Sequence, residues 1–155
     1  ACYLSKQKVK KVYSTGSVFG DKEIKKIGDI DTAITTITFE NGSLATIDNS
    51  RKSNYGYDQR VEVFGSLGMS ISQNQLSNNN IVANNKGIHY SKPLGFFIER
   101  YSQSYIAIMN EFINSIINKK EISNGINAGL DSLKIALAAK MSFNENRVVF
   151  FDEII

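Results

Sequence analysis

Two short polar segments hold the residue types that could do chemistry in this chain, Asp48-Asn49-Ser50-Arg51 and Tyr55-Gly56-Tyr57-Asp58-Gln59-Arg60. Together they bring amide, hydroxyl, carboxylate, guanidinium and two phenols into a stretch that otherwise reads as β-strand. That mixture is what a polyol-binding wall needs. A secondary alcohol both donates and accepts, and so does a phenol, which makes Tyr57 the first candidate contact. The competing reading is structural, with Tyr57 closing a sheet edge, its ring buried and its hydroxyl wet. Tyr55 shares a side with Tyr57 only if the segment is extended, which Gly56 is free to break. Asn49 and Arg51 could hydrogen-bond a ligand from a strand end, although such a polar cluster serves turns and helix caps equally well. Arg60, two residues after Asp58, fits an ion pair that holds the loop. Gly65 and Gly68 fit turn positions.

The elements that must position these residues follow from pattern. Residues 9–18 alternate Val9, Lys11, Tyr13 and Thr15 against Lys10, Val12 and Ser14, which predicts a first strand. Residues 19–28 read as a charged, glycine-bounded loop. Residues 30–39 are rich in Ile and Thr, and Asn41-Gly42 follows them, so this run should pair antiparallel with residues 43–49 through a type I′ turn. Shorter strands are expected at 60–64, 69–73, 80–83 and 87–91, separated by Gly- and Asn-rich turns, giving an antiparallel meander. Such a sheet buries one face and leaves the other for water or a partner. After Pro93 the period changes. Tyr101, Tyr105, Ile108, Met109, Phe112, Ile113, Ile116 and Ile117 recur at spacings of three and four, which predicts a helix to about Lys119 lying on the sheet. A second helix, beginning between Asn124 and Asn127, should turn Leu130, Leu133, Leu137 and Met141 inward, with Ala136, Ala138 and Ala139 allowing close approach. Residues 147–151 suit a last edge strand. The fold class is α+β, a largely antiparallel open sheet with helices packed on one face.

Composition bounds the rest. A chain of 155 residues is one domain by length, 1–155, and is long enough for a core without metal or disulfide staples. The abundance of Asn, Ile and Lys fits an AT-rich genome. A net charge of +3 is intermixed, and the run Lys6, Lys8, Lys10 and Lys11 alternates like the solvent face of a strand. Nucleic-acid binding asks for a broader basic stripe with interleaved aromatics. No apolar run approaches transmembrane length and no signal-peptide pattern is present, so the reading is cytoplasmic, with no membrane partner. One Cys and one His, Cys2 and His89, cannot together build a structural zinc site, so no metal is expected.

Asp48-Asn49-Ser50-Arg51 and Tyr55-Gly56-Tyr57-Asp58-Gln59-Arg60, in this order and spacing, resemble the sugar and polyol dehydrogenases of the glucose-fructose oxidoreductase, inositol dehydrogenase and rhizopine catabolism family. Within that family the likeness is to inositol dehydrogenases. Gly28-Asp29-Ile30-Asp31-Thr32-Ala33, Phe96-Phe97-Ile98-Glu99-Arg100-Tyr101 and the Ala-rich final helix extend the resemblance along the chain. It implies that this is the C-terminal substrate-binding and oligomerisation domain of an NAD-dependent enzyme oxidising a ring hydroxyl, most simply of myo-inositol. It further implies that Tyr57 reaches the polyol, with Tyr55, Asn49 and Arg51 as further substrate-binding candidates. The Gly-x-Gly-x-x-Gly phosphate loop of the family does not occur here. NAD is therefore expected on a domain before Ala1, together with the family's catalytic Lys, Asp and His, and no catalytic residue is assigned in this chain, which alone should be inactive. His89 reads as a surface or edge histidine. Glu99 suits a helix N-terminus. Family members pair open sheet faces, so a homo-oligomer is implied, and the alternatives are a binding or assembly module without chemistry or the same domain of another sugar dehydrogenase of the family.

Overall fold

A computed structural model of the chain describes residues 1–122 and 125–154. In chain order the elements are α1 (Cys2–Ser5), β1 (Val9–Ser17), α2 (Lys22–Lys26), β2 (Thr32–Phe39), β3 (Leu44–Ser50), β4 (Val61–Gly65), β5 (Gly68–Ser72), β6 (Ile81–Asn84), β7 (Gly87–Tyr90), α3 (Phe97–Asn118), α4 (Ile126–Glu145) and β8 (Val149–Phe150), with a closing 3₁₀ turn at Phe151–Glu153. The fold is α+β with antiparallel sheets. The elements form two compact units, residues 1–52 with the C-terminal segment from 125 onward, and residues 53–122.

In the first unit four antiparallel strands lie in the order β3-β2-β1-β8, so β8 is an edge strand as its sequence suggests. The register of β1 shifts between Val9 and Lys11. Val9 and Val12, three apart, are consequently both buried, along with Ser14. Strict alternation would have turned the two valines to opposite faces; the bulge moves the phase by one residue. Along β2 the alternation is kept, with Thr35, Ile37 and Phe39 buried.

The β2–β3 hairpin also differs from its expected turn. Gly42 has φ +85° but Asn41 is not left-handed, and the Gly42 N–H donates to the Phe39 carbonyl. This is a three-residue loop with glycine at the positive-φ position rather than a type I′ turn. The Asn41 side chain accepts from the Ser43 N–H (3.1 Å) and hydroxyl (2.7 Å), an alternative to a left-handed Asn41. Within the supposed loop 19–28, Asp21 accepts from the Glu23 N–H (2.9 Å) and caps α2, whose last turn carries Lys25 and Lys26.

Val9, Val12, Ile37, Phe39, Ala138, Val149 and Ile154 make the core of this unit, with Ile135, Ala139, Met141 and Cys2 packed around it. The helix α4 packs against β1 and β8. Its buried side differs from the leucine stripe read from the sequence: Leu130, Leu133 and Leu137 are exposed, whereas Ala138 and Ser142 are fully buried. Small side chains let the helix come close enough for Ser142 to accept the Ser14 N–H at 2.9 Å and to donate to the Arg147 carbonyl. Two backbone groups of buried or turning chain are thereby satisfied by one hydroxyl.

In the second unit the expected meander is divided. The pairs β4–β5 and β6–β7 are separate two-stranded hairpins. Between them Asn78 accepts from the Asn80 N–H (2.9 Å) and the Ser91 hydroxyl (2.6 Å), local bonds that compete with a continuing ladder. The helix α3 opens with Glu99 accepting from the Gly95 N–H at 3.2 Å, which serves the helix start suggested by the sequence. Its stripe is not covered as expected, since Tyr105, Ile108, Met109, Phe112, Ile113 and Ile116 are all exposed. The other strands of its unit form narrow hairpins, which supply no broad face for a 22-residue helix.

Candidate functional site

The loop 55–60 is fixed by two devices. The first is backbone contact with residues 93–94. Gly56 has φ +136°, and a Cβ there would stand 2.9 Å from the Pro93 carbonyl oxygen and 3.3 Å from that of Leu94. Only glycine meets both demands. The adjacent Tyr57 N–H donates to the Leu94 carbonyl at 2.8 Å, and the Leu94 N–H donates to Gln75 at 3.0 Å.

The second device is Asp58. Its carboxylate accepts from Arg60 Nε (2.8 Å) and Nη2 (3.0 Å), from Asn74 Nδ2 (2.7 Å) and from the Tyr55 hydroxyl. Asn74 in turn accepts the Gln59 N–H at 2.7 Å. The Arg60 guanidinium, then Tyr55 and Asn74, hold the Asp58 carboxyl down to about 2, so it is an anion across ordinary pH. The expected Asp58–Arg60 pair is therefore present, and it fixes the loop. An open depression of about 700 Å³ lies over this cluster, with Tyr55, Gln73, Leu76 and Tyr90 among its walls.

Tyr55 and Tyr57 are engaged differently. The Tyr55 hydroxyl is committed to Asp58. Tyr57 is half-buried and its ring meets Tyr101 edge-on, centroids 6.0 Å apart at 83°. Tyr101 continues to Tyr105 at 6.4 Å and 70°, one helical turn along α3. Burial and the neighbouring Tyr57 hydroxyl push the Tyr101 phenol up. Arg100 lies over the same ring at 5.7 Å.

Asn49 and Arg51 belong to the first unit. Asn49 pairs with Ala33 near the end of β3, and the Arg51 N–H donates to the Asp31 carbonyl at 2.8 Å. The Arg51 guanidinium faces Asp29 at 4.0 Å, both side chains exposed. An open depression of about 360 Å³ includes Asp29, Thr32, Asn49 and Arg51 in its lining. Beside it, buried Asp31 accepts from the N–H groups of Phe19 (2.9 Å), Gly20 (2.7 Å) and Asp21 (3.1 Å) and from the Thr32 hydroxyl (2.9 Å). The Phe19 and Gly20 amides foremost bring its carboxyl down to about 2.

Three residues matter here that sequence reasoning did not single out for the site. Asn74 sits in an Asn-rich stretch that hides it. Asp31 immediately precedes β2 in an Ile- and Thr-rich run, where its polarity was a signal. Tyr101 was legible as half of an aromatic pair at helical spacing, though not as a neighbour of Tyr57. His89 pairs with Val82 across the β6–β7 hairpin and is exposed. Among the described residues no three His, Cys, Asp or Glu side chains gather as a metal would require, and no helix is long and apolar enough to cross a membrane. Gly65 and Gly68 face each other across the β4–β5 turn with no helix following, so they do not form a cradle for a dinucleotide pyrophosphate.

Comparison with known proteins agrees with this architecture. Residues 1–71 match the GFO/IDH/MocA C-terminal domain. Myo-inositol 2-dehydrogenase from Thermotoga maritima is 39% identical over 155 residues, covering all of this chain and 46% of that protein. The crystal structure of a probable dehydrogenase from Thermotoga maritima superimposes with a TM-score of 0.96 at 38% identity, over 99% of this chain and 46% of its own. Scyllo-inositol dehydrogenase from Lactobacillus casei, solved with bound NAD(H) and scyllo-inositol, gives 0.90 at 26% identity over 97% of this chain and 44% of its own. The chain thus spans somewhat under half the length of each of these relatives. In sequence over residues 1–71 and in fold over nearly its whole length, this chain is similar to the GFO/IDH/MocA C-terminal domain and to part of these dehydrogenases.

Proposed function

We propose that this chain is the substrate-binding and assembly domain of a cytoplasmic, NAD-dependent inositol dehydrogenase, the dinucleotide being held by a domain that precedes it in the protein. The observation that carries this reading is the anchored loop 55–60, which presents a phenol, Tyr57, from backbone that cannot drift. The parent reaction is oxidation of a ring hydroxyl of myo-inositol, with hydride passing to NAD. The part of this chain is binding and orientation, so that the reacting carbon is held in one place. Tyr57 is the polyol contact. Tyr55, Asn49 and Arg51 are secondary candidates, each open to its own substitution, and Tyr55 is the weaker because Asp58 already takes its hydroxyl.

A second reading, assembly without chemistry, is favoured by the outward face of the four-stranded sheet. Tyr13, Ile34 and Leu44 stand there exposed, on the side opposite to Ile37 and Phe39. The two readings coexist if the face pairs copies of the enzyme into a homo-oligomer.

The test is turnover. Protein expressed from the complete reading frame is given NAD and myo-inositol, and NADH formation is followed. Reduction that requires both is the expected outcome. A folded protein that reduces neither NAD nor NADP with myo- or scyllo-inositol would overturn the enzyme reading and leave the assembly module.

A further inference from the structure

We propose that Asn74, two residues beyond β5, is a positioning residue for the polyol contact: its side-chain amide closes the frame that holds the backbone of Tyr57 in place. This inference rests on the proposed role of Tyr57 and extends it to a residue that acts through the loop backbone.

The frame is a closed circuit of hydrogen bonds. The Tyr57 N–H donates to the Leu94 carbonyl (2.8 Å), and the Leu94 N–H donates to the Gln75 carbonyl (3.0 Å). Asn74 adjoins Gln75, and its side chain returns to the loop, donating to Asp58 and accepting the Gln59 N–H at 2.7 Å each. Leu76 bridges Pro93, and the Ser77 N–H donates to the Lys92 carbonyl at 3.3 Å, so these two segments run as a short antiparallel pair. The pair grips the loop on both sides of the Tyr57 side chain, at Gly56 and Tyr57 from residues 93–94 and at Asp58 and Gln59 from Asn74. The first grip is made by backbone groups. The second is made by one side chain and is therefore open to substitution.

The partners of Asn74 fix which way its amide faces. The Gln59 N–H can only donate, so it meets the oxygen; the Asp58 carboxylate can only accept, so it meets the NH₂. Exchanging the two atoms would lose both bonds. Among uncharged groups of this length, only a carboxamide, or a carboxylic acid that keeps its proton, offers a donor and an acceptor side by side. The titratable groups lining the depression over this cluster are Tyr55, Asp58, Arg60 and Tyr90, and Asp58 is the one that bonds the Asn74 side chain.

The experiment is Asn74→Asp in the protein expressed from its complete reading frame. The KM for myo-inositol is taken as a ratio to that of the unsubstituted protein at about pH 5 and about pH 9, on either side of the expected titration. A carboxyl placed beside the Asp58 anion keeps its proton to higher pH than an isolated one. While protonated it reproduces the amide, its O–H donating to Asp58 and its carbonyl accepting from Gln59. Once ionised it repels Asp58 and has nothing to donate. The KM ratio should therefore lie close to one at the acid end and rise about three- to tenfold at the alkaline end, the shift in loop population that losing one net hydrogen bond produces. Asn74→Ala makes neither bond at any pH. It should raise KM by a similar factor at both ends, and it carries the test if Asn74→Asp fails to fold. In the Tyr57→Phe background Asn74→Asp should add little, because the loop acts through that phenol. A KM ratio that ignores pH, a melting temperature that follows pH while KM does not, or an undiminished effect in the Tyr57→Phe background would overturn the inference alone. If Tyr57→Phe by itself leaves KM unchanged, the assignment of Tyr57 as the contact fails, and the inference falls with it.

Discussion

Two aspartates each order a loop by gathering donors around one carboxylate. Asp31 collects the amides of Phe19, Gly20 and Asp21; Asp58 collects Arg60, Asn74 and Tyr55. Each bond favours the anion, and both carboxyls fall from an ordinary 3.8 to about 2. A carboxyl whose folded value lies below its unfolded one stabilises the fold fully above the unfolded value and loses that contribution as pH drops through the folded one. Melting temperature should therefore be flat through neutral pH down to about 4 and fall between about 4 and 2. Asp58→Asn should shrink that acid-side slope without abolishing it, since Asp31 still contributes. An acid limb equally steep in the variant would count against Asp58 as an ordering residue. Asp58 and Arg60 were legible as an ion pair because they lie two apart. Asn74 was not, because nothing in its local sequence distinguishes it from the asparagines around it.

At the scale of elements, close approach decides which residues are irreplaceable. Gly56→Ala would add both a disfavoured backbone conformation and a Cβ pressed on the Pro93 carbonyl. A destabilisation of about 1–3 kcal/mol is expected, read from the denaturant midpoint, because a non-glycine residue held at such a φ stores strain of that order. The midpoint of Gly56→Ala should fall without a change in the slope of the transition. Ser142 is the corresponding point on α4. Ser142→Ala leaves the Ser14 N–H without its partner beside a buried strand, at a cost of about 1–3 kcal/mol. An unchanged midpoint in Ser142→Ala would mean that the amide finds water instead. The helix periodicity of α4 was legible, but its rotation was not. Two stripes compete on that helix, one of leucines and one of small residues, and hydropathy favours the first. The close seat against β1 and β8 selects the second, with Ala138 and Ser142 fully buried at its centre.

For the whole molecule, the unpaired outward sheet face sets the expectation. Tyr13, Ile34 and Thr36 lie on it in register, Tyr13 opposite Thr36, with Ile34 two residues along β2. A charge at its centre would be desolvated on pairing, which is costly for an unpartnered ion. Ile34→Lys in the protein expressed from its complete reading frame should move the species seen by light scattering to a smaller assembly while leaving the melting of secondary structure intact. An unaltered mass in Ile34→Lys would exclude this face as the interface.

Sequence alone determined where most strands and the two long helices lie, though not the short α1 and α2, and it put the candidate site on the loop 55–60. Those features depend on turn residues, helix caps and periodicities that act within a few residues of one another, as at Asn41-Gly42 and along α3. The family resemblance pointed to Tyr57 on the same local basis. Tertiary structure decided the phase of β1, the buried side of α4, the separation of the two hairpins and the meeting of Tyr57 with Tyr101. Each of these joins residues far apart in the chain, and their outcome depends on how closely two backbones can approach, which no local pattern encodes.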